Sequence, residues 1–304
     1  MLRAKTLAAI FALFTLIHAS PQNHQFSKNL ILMDTFVHLE IRGRLDNKAA
    51  SGAFAKVTER MRELEKKFDY YADDSELTKI NKLNVGEKFR VSPDMLRVLK
   101  ASLEMYQKTG GAFDVALGKR GWVLDEDDKA VILSNDNVKI DLGGIAKGFI
   151  VDEAVKILKK QGVRTALINA GGDMYCMGMG QTEGWKIGIR DPRTRGDVIG
   201  SFSVSDKGVA TSGDYERPSH IIDPKNSAPM RSALKSSTVV AVDCMTADAL
   251  ATALFVLDTS EGLKLIEKTD NAECVIVDED GRVHKSSGFG QISLTKSAVY
   301  YIVA

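Results

Sequence analysis

The sequence predicts one compact α+β body. Three observations carry that expectation. Apolar residues recur at helical spacing in some windows and at strand spacing in others. The 304-residue chain contains no Pro-, Gly- or Ser-rich linker, internal repeat or low-complexity run. After residue 137 a helical window sits between two short apolar runs, which reads as a strand–helix–strand unit. Two intimate lobes on mixed sheets are expected over residues 20–304, rather than separable domains.

Residues 1–19 stand apart from that body. Arg3 and Lys5 form a positive head, and Thr6 to Ile17 is an apolar stretch of signal-peptide length, short for a bilayer span. Cleavage after Ala19 and export to the periplasm are expected; an uncleaved anchor and a buried helix are the alternatives. No cysteine follows the apolar stretch, so a lipid anchor is not offered there.

The alternation of Val37, Leu39 and Ile41 predicts a half-buried strand over 31–44. Phe54, Val57, Met61, Leu64 and Phe68 recur at three and four, an amphipathic helix. Ser92-Pro93 reads as an N-cap with proline at the first helical position. The helix it opens carries Leu96, Leu99, Leu103 and Tyr106 and stops at Gly110-Gly111. Residues 112–137 read as loop, with acids clustered at Asp125–Asp128. Val138–Leu142 is expected as a strand, Lys147–Gln161 as a helix ended by Gly162, and Val163–Asn169 as a second strand parallel to the first. Further strands are expected at Trp185–Arg190, Val198–Val204, Thr238–Val242, Cys274–Asp278 and Ala298–Val303. A helix follows Thr246 as N-cap, and another lies near Leu263–Lys268.

Composition excludes some functions. With 41 basic and 40 acidic side chains the net charge is +1, so no global field steers the chain to nucleic acid. Lys156, Lys159 and Lys160 read as a solvated helix face. Cys176, Cys244 and Cys274 have no zinc-like spacing and sit in or beside apolar runs. Buried free thiols are expected, with one disulfide as the alternative.

The chemistry concentrates in a few segments. Asp141-Leu142-Gly143-Gly144-Ile145-Ala146-Lys147-Gly148 and Asn169-Ala170-Gly171-Gly172-Asp173 each place a glycine pair after an apolar run. Such pairs suit close approach of backbone to a phosphate-rich ligand, with Lys147 as a point charge; tight turns alone are the plainer account. Asp248 and Thr252 are four apart on a predicted helix and share a face. A carboxylate and a hydroxyl there suit a hard cation, chiefly Mg²⁺, although an acid in a first turn and a back-bonded threonine are also ordinary helix chemistry. His220-Ile221-Ile222-Asp223-Pro224 sets an imidazole three residues from a carboxylate. Phe113 can stack on a planar ring and Asp114 accept from its N–H groups, or the segment is a helix C-cap with a core phenylalanine. Tyr70 and Tyr71 precede an acidic turn. Ser212 lies outside any G-x-S-x-G, and no G-x-G-x-x-G is present, which argues against a serine hydrolase and a dinucleotide oxidoreductase.

Taken in order, these segments resemble the ApbE family of FAD:protein FMN transferases. Met33-Asp34-Thr35 resembles its Met-Gly-Thr opening, with Asp34 in place of the usual glycine. Tyr71 through Asn81, Thr109–Asp114, Asp141–Gly148, Asn169–Asp173, Ser212–Arg217, His220–Pro224 and Asp248–Leu254 follow the family's sequence of motifs. The resemblance implies a flavin dinucleotide between the lobes with Mg²⁺ on its diphosphate. By position, Met33, Tyr71, Ala112, Phe113, Asp114, Asp141 and Lys147 would contact FAD. Asp248, Thr252 and the main-chain oxygen of Gly144 would hold the metal, and His220, Asp223 and Pro224 would line the site. The implied reaction moves FMN to a Thr or Ser hydroxyl of an exported redox protein and releases AMP, with His220 or Asp223 taking the proton. Peripheral association with a membrane would run through that acceptor. A Mg²⁺-dependent FAD pyrophosphatase and a non-catalytic flavin-binding protein are the competing readings.

Overall fold

Strands β1 (His24–Leu32) and β2 (Thr35–Gly43) form a hairpin that pairs Leu32 with Thr35. The structure, a computed structural model, describes residues 24–303 except 120, 181–183, 195–196, 214–221, 225–227, 230–233 and 291–300. The predicted leader lies outside the described residues. The single strand expected over 31–44 is in fact broken at Met33 and Asp34, both with φ 55°. Two consecutive left-handed residues are what a two-residue hairpin turn requires, and aspartate tolerates that conformation. Apolar alternation on both sides of the turn hid it from a pattern reading.

Helix α1 (Asn47–Phe68) is capped by Asp46, which accepts from the amide of Ala49, and it buries the five predicted apolar positions. A short α2 (Glu76–Asn81) starts at Ser75. After β3 (Lys88–Arg90), α3 (Pro93–Lys108) opens at the predicted Ser92 cap, and Gly110 and Gly111 follow it at φ 61° and 87°. The predicted loop at 112–137 holds a small hairpin, β4 (Trp122–Asp125) and β5 (Ala130–Leu133), whose turn is the acidic cluster. With β3 these make a three-stranded sheet. Strands of four residues leave too short a period to read.

Residues 138–142 are not a strand. Their alternation is real, since Val138, Ile140 and Leu142 are buried, but the backbone pairs elsewhere. The Asn81 side-chain amide donates to the Ile140 carbonyl at 2.8 Å and its oxygen accepts from the Ile140 N–H at 2.7 Å. The amide of Asp141 donates to Val115 O. One asparagine thus does the work of a neighbouring strand, and the parallel strand–helix–strand unit is absent. Helix α4 (Ala146–Lys160) follows as expected and ends before Gly162 at φ 78°.

Strands β6 (Thr165–Ala170) and β7 (Asp173–Met177) then form an antiparallel hairpin, so the second glycine pair is a hairpin turn and not the start of a helix. Gly171 and Gly172 have φ 61° and 97°, and a Cβ on Gly171 would fall 2.3 Å from the Thr35 hydroxyl. After β8 (Trp185–Arg190), β9 (Val198–Val204) and β10 (Lys207–Gly213) come the two-residue strands β11 (Ile222–Asp223) and β12 (Ala228–Pro229). The chain closes with β13 (Leu234–Ala241), α5 (Cys244–Val256), α6 (Thr259–Glu267), β14 (Glu273–Asp278), β15 (Val283–Lys285) and β16 (Tyr301–Val303).

Eight strands form the central sheet in the order β1-β2-β6-β7-β10-β13-β14-β15, every neighbouring pair antiparallel. Parallel pairing occurs between β16 and β8, in a mixed sheet with β9. The middle strands of the central sheet are buried on both faces. Ile168, Tyr175 and Ala210 join the large core under α1, α4 and α5. Leu167, Met174, Cys176 and Val209 join a smaller core with Trp185, Ile187 and Phe202. All five residues of β7 are therefore buried, which erases the alternation that would have announced it.

Helix α5 is capped by Asp243, which accepts from the Thr246 amide at 2.8 Å, so Thr246 is its third residue and not the cap. The three cysteines are free and buried.

Candidate functional site

A cavity of about 440 Å³ opens between the tip of the β1–β2 hairpin, the end of α1, the loop after α3, the start of α4 and the side of α5. Met33, Tyr71, Ala112, Phe113, Asp114, Asp141, Gly144, Lys147, Asp248 and Thr252 all line it, as does Pro224. Segments 219 residues apart in the chain, from Met33 to Thr252, thus meet around one space. His220 lies outside the described residues, and Asp223 is described only through its backbone pairing in β11.

Local structure explains each placement. The turn carrying Met33 is tied to α1, because the Met33 amide donates to Glu65 Oε1. Asp69 ends α1 and accepts from the amides of Tyr71 at 2.7 Å and Ala72 at 3.1 Å, which leaves the Tyr71 ring 88% exposed at the mouth. Phe113 is buried, with its ring edge beside Gly144. Asp114 accepts from the amides of Ala116 and Gly118, both at 2.9 Å, so its carboxylate shapes its own loop as well as the cavity wall. Asp141 accepts from the Gly143 amide at 2.8 Å.

Helix α4 has no side-chain cap at Ile145. Asp248 reaches into its first turn and accepts from the Gly148 amide at 3.0 Å. The Lys147 ammonium is not a free charge but an ion-pair partner of the buried Asp173. Burial opposes the Lys147 charge; Asp173 and then Asp248 outweigh it and hold the group protonated above its usual range. Burial pushes the Asp248 carboxyl above the ordinary carboxylate value, against Lys147 and the Gly148 amide.

The ionisable lining is strongly one-signed. Among the described residues its carboxylates are Asp34, Glu65, Asp69, Asp114, Asp141 and Asp248, against Lys147 as its one cationic side chain, and Lys147 is already paired. A diphosphate would be repelled from this space unless a cation came with it. Among the described residues no three His, Cys, Asp or Glu side chains group as a metal centre. The donors present are of another kind. Asp248 and Thr252 project from one face of α5, and Gly144 is so close that a Cβ on it would lie 2.9 Å from the Thr252 hydroxyl. The Ser212 hydroxyl is 3.4 Å from that of Thr252. The Asp248 carboxylate and the Thr252 hydroxyl are both oxygen donors, which suits a hard cation such as Mg²⁺ and not a thiolate- or imidazole-seeking metal.

Sequence reasoning missed Glu65 and Thr211 as parts of the wall, named Ser212 only as the start of a motif, and missed the pairing of Asp173 with Lys147. Glu65 reads as one more surface charge on an amphipathic helix, so no local signal marked it.

The sequence model of the ApbE family matches residues 33–121 and 120–276, a span that contains every lining residue named above. The chain belongs to the ApbE family. Relatives agree with that assignment. A protein from Haemophilus influenzae named FAD:protein FMN transferase is 31% identical over 283 residues, covering 78% of this chain and 82% of its own. One of the same name from Treponema pallidum is 27% identical over 316 residues, 87% of each chain. Among solved structures, the flavin transferase ApbE from Vibrio cholerae superposes with a TM-score of 0.77 at 25% identity, over 88% of this chain and 99% of that one. The ApbE protein from Thermotoga maritima does so at 0.78 and 29% identity, over 87% and 97%. The α+β architecture is therefore that of the ApbE flavin transferases.

Proposed function

We propose that this chain is an enzyme that transfers FMN from FAD to a Thr or Ser hydroxyl of an acceptor protein. The observation that carries the reading is the convergence of the ApbE motif residues on one cavity, acidic among the described residues, whose lining includes the oxygen donors Asp248 and Thr252. Tyr71 at the mouth offers aromatic surface to a flavin or adenine ring, and Phe113 is buried in the wall behind. Asp248, Thr252 and the Gly144 carbonyl would hold Mg²⁺, which when bound supplies charge neutralisation at the diphosphate. The acceptor oxygen attacks the FMN-side phosphorus, the bond to the bridging oxygen breaks, and AMP leaves. The proton of the acceptor hydroxyl passes to His220 or Asp223. Lys147, kept charged by Asp173, contributes preorganised positive potential at the same end of the cavity. The leader pattern supports export, so the acceptor belongs among periplasmic or membrane-attached redox proteins.

The decisive experiment incubates the protein with FAD, Mg²⁺ and envelope proteins of the source organism. The expected result is in-gel flavin fluorescence on an acceptor band that survives denaturation, with AMP released in equal amount. Asp248→Ala should slow this by more than about 100-fold, since a lost cation ligand forfeits several kcal/mol of transition-state stabilisation. Free FMN plus AMP without acceptor would instead establish a pyrophosphatase, and intact FAD a binding protein.

A further inference from the structure

Helices α4 and α5 carry the two halves of the proposed site, and a buried carboxylate outside the cavity joins them. Asp152 lies on α4 one turn beyond Gly148. Its Oδ1 accepts from the amide of Cys244 and its Oδ2 from the amide of Met245, both at 2.9 Å. These are the first two residues of α5. The third amide, of Thr246, is taken by Asp243. In return α5 sends Asp248 to the Gly148 amide of α4. Each helix therefore offers a carboxylate to free N–H groups in the first turn of the other. Between the two links the backbones touch, since a Cβ on Gly148 would fall 2.4 Å from the Cys244 carbonyl oxygen.

We propose that Asp152 is a positioning residue for the transfer site: by gripping the first two amides of α5 it sets where Asp248 and Thr252 stand relative to Gly144 and Lys147. The inference rests on the reading of that site given above. A packing role alone would need only a group of the right size. The double acceptance needs a carboxylate, because an asparagine or a protonated acid presents one good acceptor where two donors converge.

The surroundings set this group near its titration point. Burial and the charge of Asp243 push the Asp152 carboxyl up to about 7, while the Cys244 and Met245 amides and Lys156 pull it down. Tyr175 on β7 and the Cys244 thiol also face it, and both are pushed up by burial first and by Asp152 among the charges that follow. The ionised, doubly bonded form therefore gains population as pH rises through about 7.

The test compares wild type with Asp152→Asn and Asp152→Ala. Amide hydrogen exchange at residues 244–246 is measured in metal-free protein, and Mn²⁺ affinity by calorimetry with FAD present, at pH 6 and pH 8. We expect Asp152→Asn to keep a melting temperature close to wild type. It should exchange at 244–245 at least ten times faster at pH 8 and bind Mn²⁺ about tenfold more weakly. It should also lose the part of the pH dependence of exchange that wild type shows between pH 6 and 8. Asp152→Ala should show the same losses, and if it fails to fold Asp152→Asn still decides. Wild-type exchange and wild-type Mn²⁺ affinity in Asp152→Asn would overturn the proposal. Wild-type protein that binds no Mn²⁺ would overturn the site reading itself, and the proposal with it, before any variant is made.

Discussion

Replacing Gly148 by alanine sets two effects of opposite sign against each other. Gly148 lies inside α4, where alanine is the better helix former by about 1 kcal/mol. Its new Cβ, however, would lie 2.4 Å from Cys244 O, 2.6 Å from Met245 Cα and 2.7 Å from the Cys244 carbonyl carbon. All three are backbone atoms, so no rotamer change relieves the clash. Ordinary contact needs about 3.5 Å, so α5 must retreat from α4 by about 1 Å. Overpacking of this kind costs about 1–3 kcal/mol, which leaves a net loss near 1 kcal/mol after the propensity gain. For a chain of this size that is roughly 1–2 °C in Tm. The consequence for activity is larger. The same retreat stretches the Gly148–Asp248 hydrogen bond and parts Thr252 from Gly144, and a displacement of about 1 Å at a reacting site costs on the order of 100-fold in rate. Thermal unfolding and covalent flavin transfer at saturating FAD and Mg²⁺ measure both. A Gly148→Ala protein with a raised Tm and an undiminished transfer rate would refute the reasoning, because it would mean the helices do not touch there.

Other outcomes follow from the same structure. Tyr71→Ala should leave stability within about 0.5 kcal/mol, since the ring is 88% exposed, yet weaken FAD binding up to about tenfold in a fluorescence titration. Burial opposes ionisation of Asp94 and Glu153, but Arg60, Arg97, Lys67 and Lys156 outweigh it, holding Asp94 well below the usual range and Glu153 at about 2. Carboxylates depressed in the folded state add stability above their ordinary value near 4 and lose it as pH falls toward 2. Melting temperature should therefore drop steeply between pH 4 and pH 2, and Glu153→Gln should flatten part of that drop. Burial pushes the Cys274 thiol up to about 12 and raises those of Cys176 and Cys244 well above the ordinary thiol range. Iodoacetamide at pH 8 should leave the native protein unlabelled and mark three thiols in guanidinium, as mass spectrometry would show.

Particular elements show what a linear reading reaches. Helices α1 and α3 were legible because their spacing, caps and terminal glycines are local. The strand expected at 138–142 failed because alternation reports burial, not the partner of the backbone, and the partner is the Asn81 side chain. The β1–β2 turn escaped because φ 55° at Met33 and Asp34 is unexpected without glycine. The cavity residues named from the sequence were legible because each belongs to a motif. Glu65 and Asp152 were not, because each acts on the amides of a segment remote in sequence.

By itself the sequence determined the family, the α+β class, most helices and many of the residues that line the cavity. Composition, periodicity and motif order are written in neighbouring residues, and those are what a chain displays before it folds. Tertiary structure alone decided the antiparallel order of the central sheet, the sign of the field in the cavity and the pairing of Lys147 with Asp173. Each of these depends on which distant backbone or charge comes within a few ångströms, and hydrogen bonds and Coulomb terms fall off too steeply for sequence separation to stand in for distance.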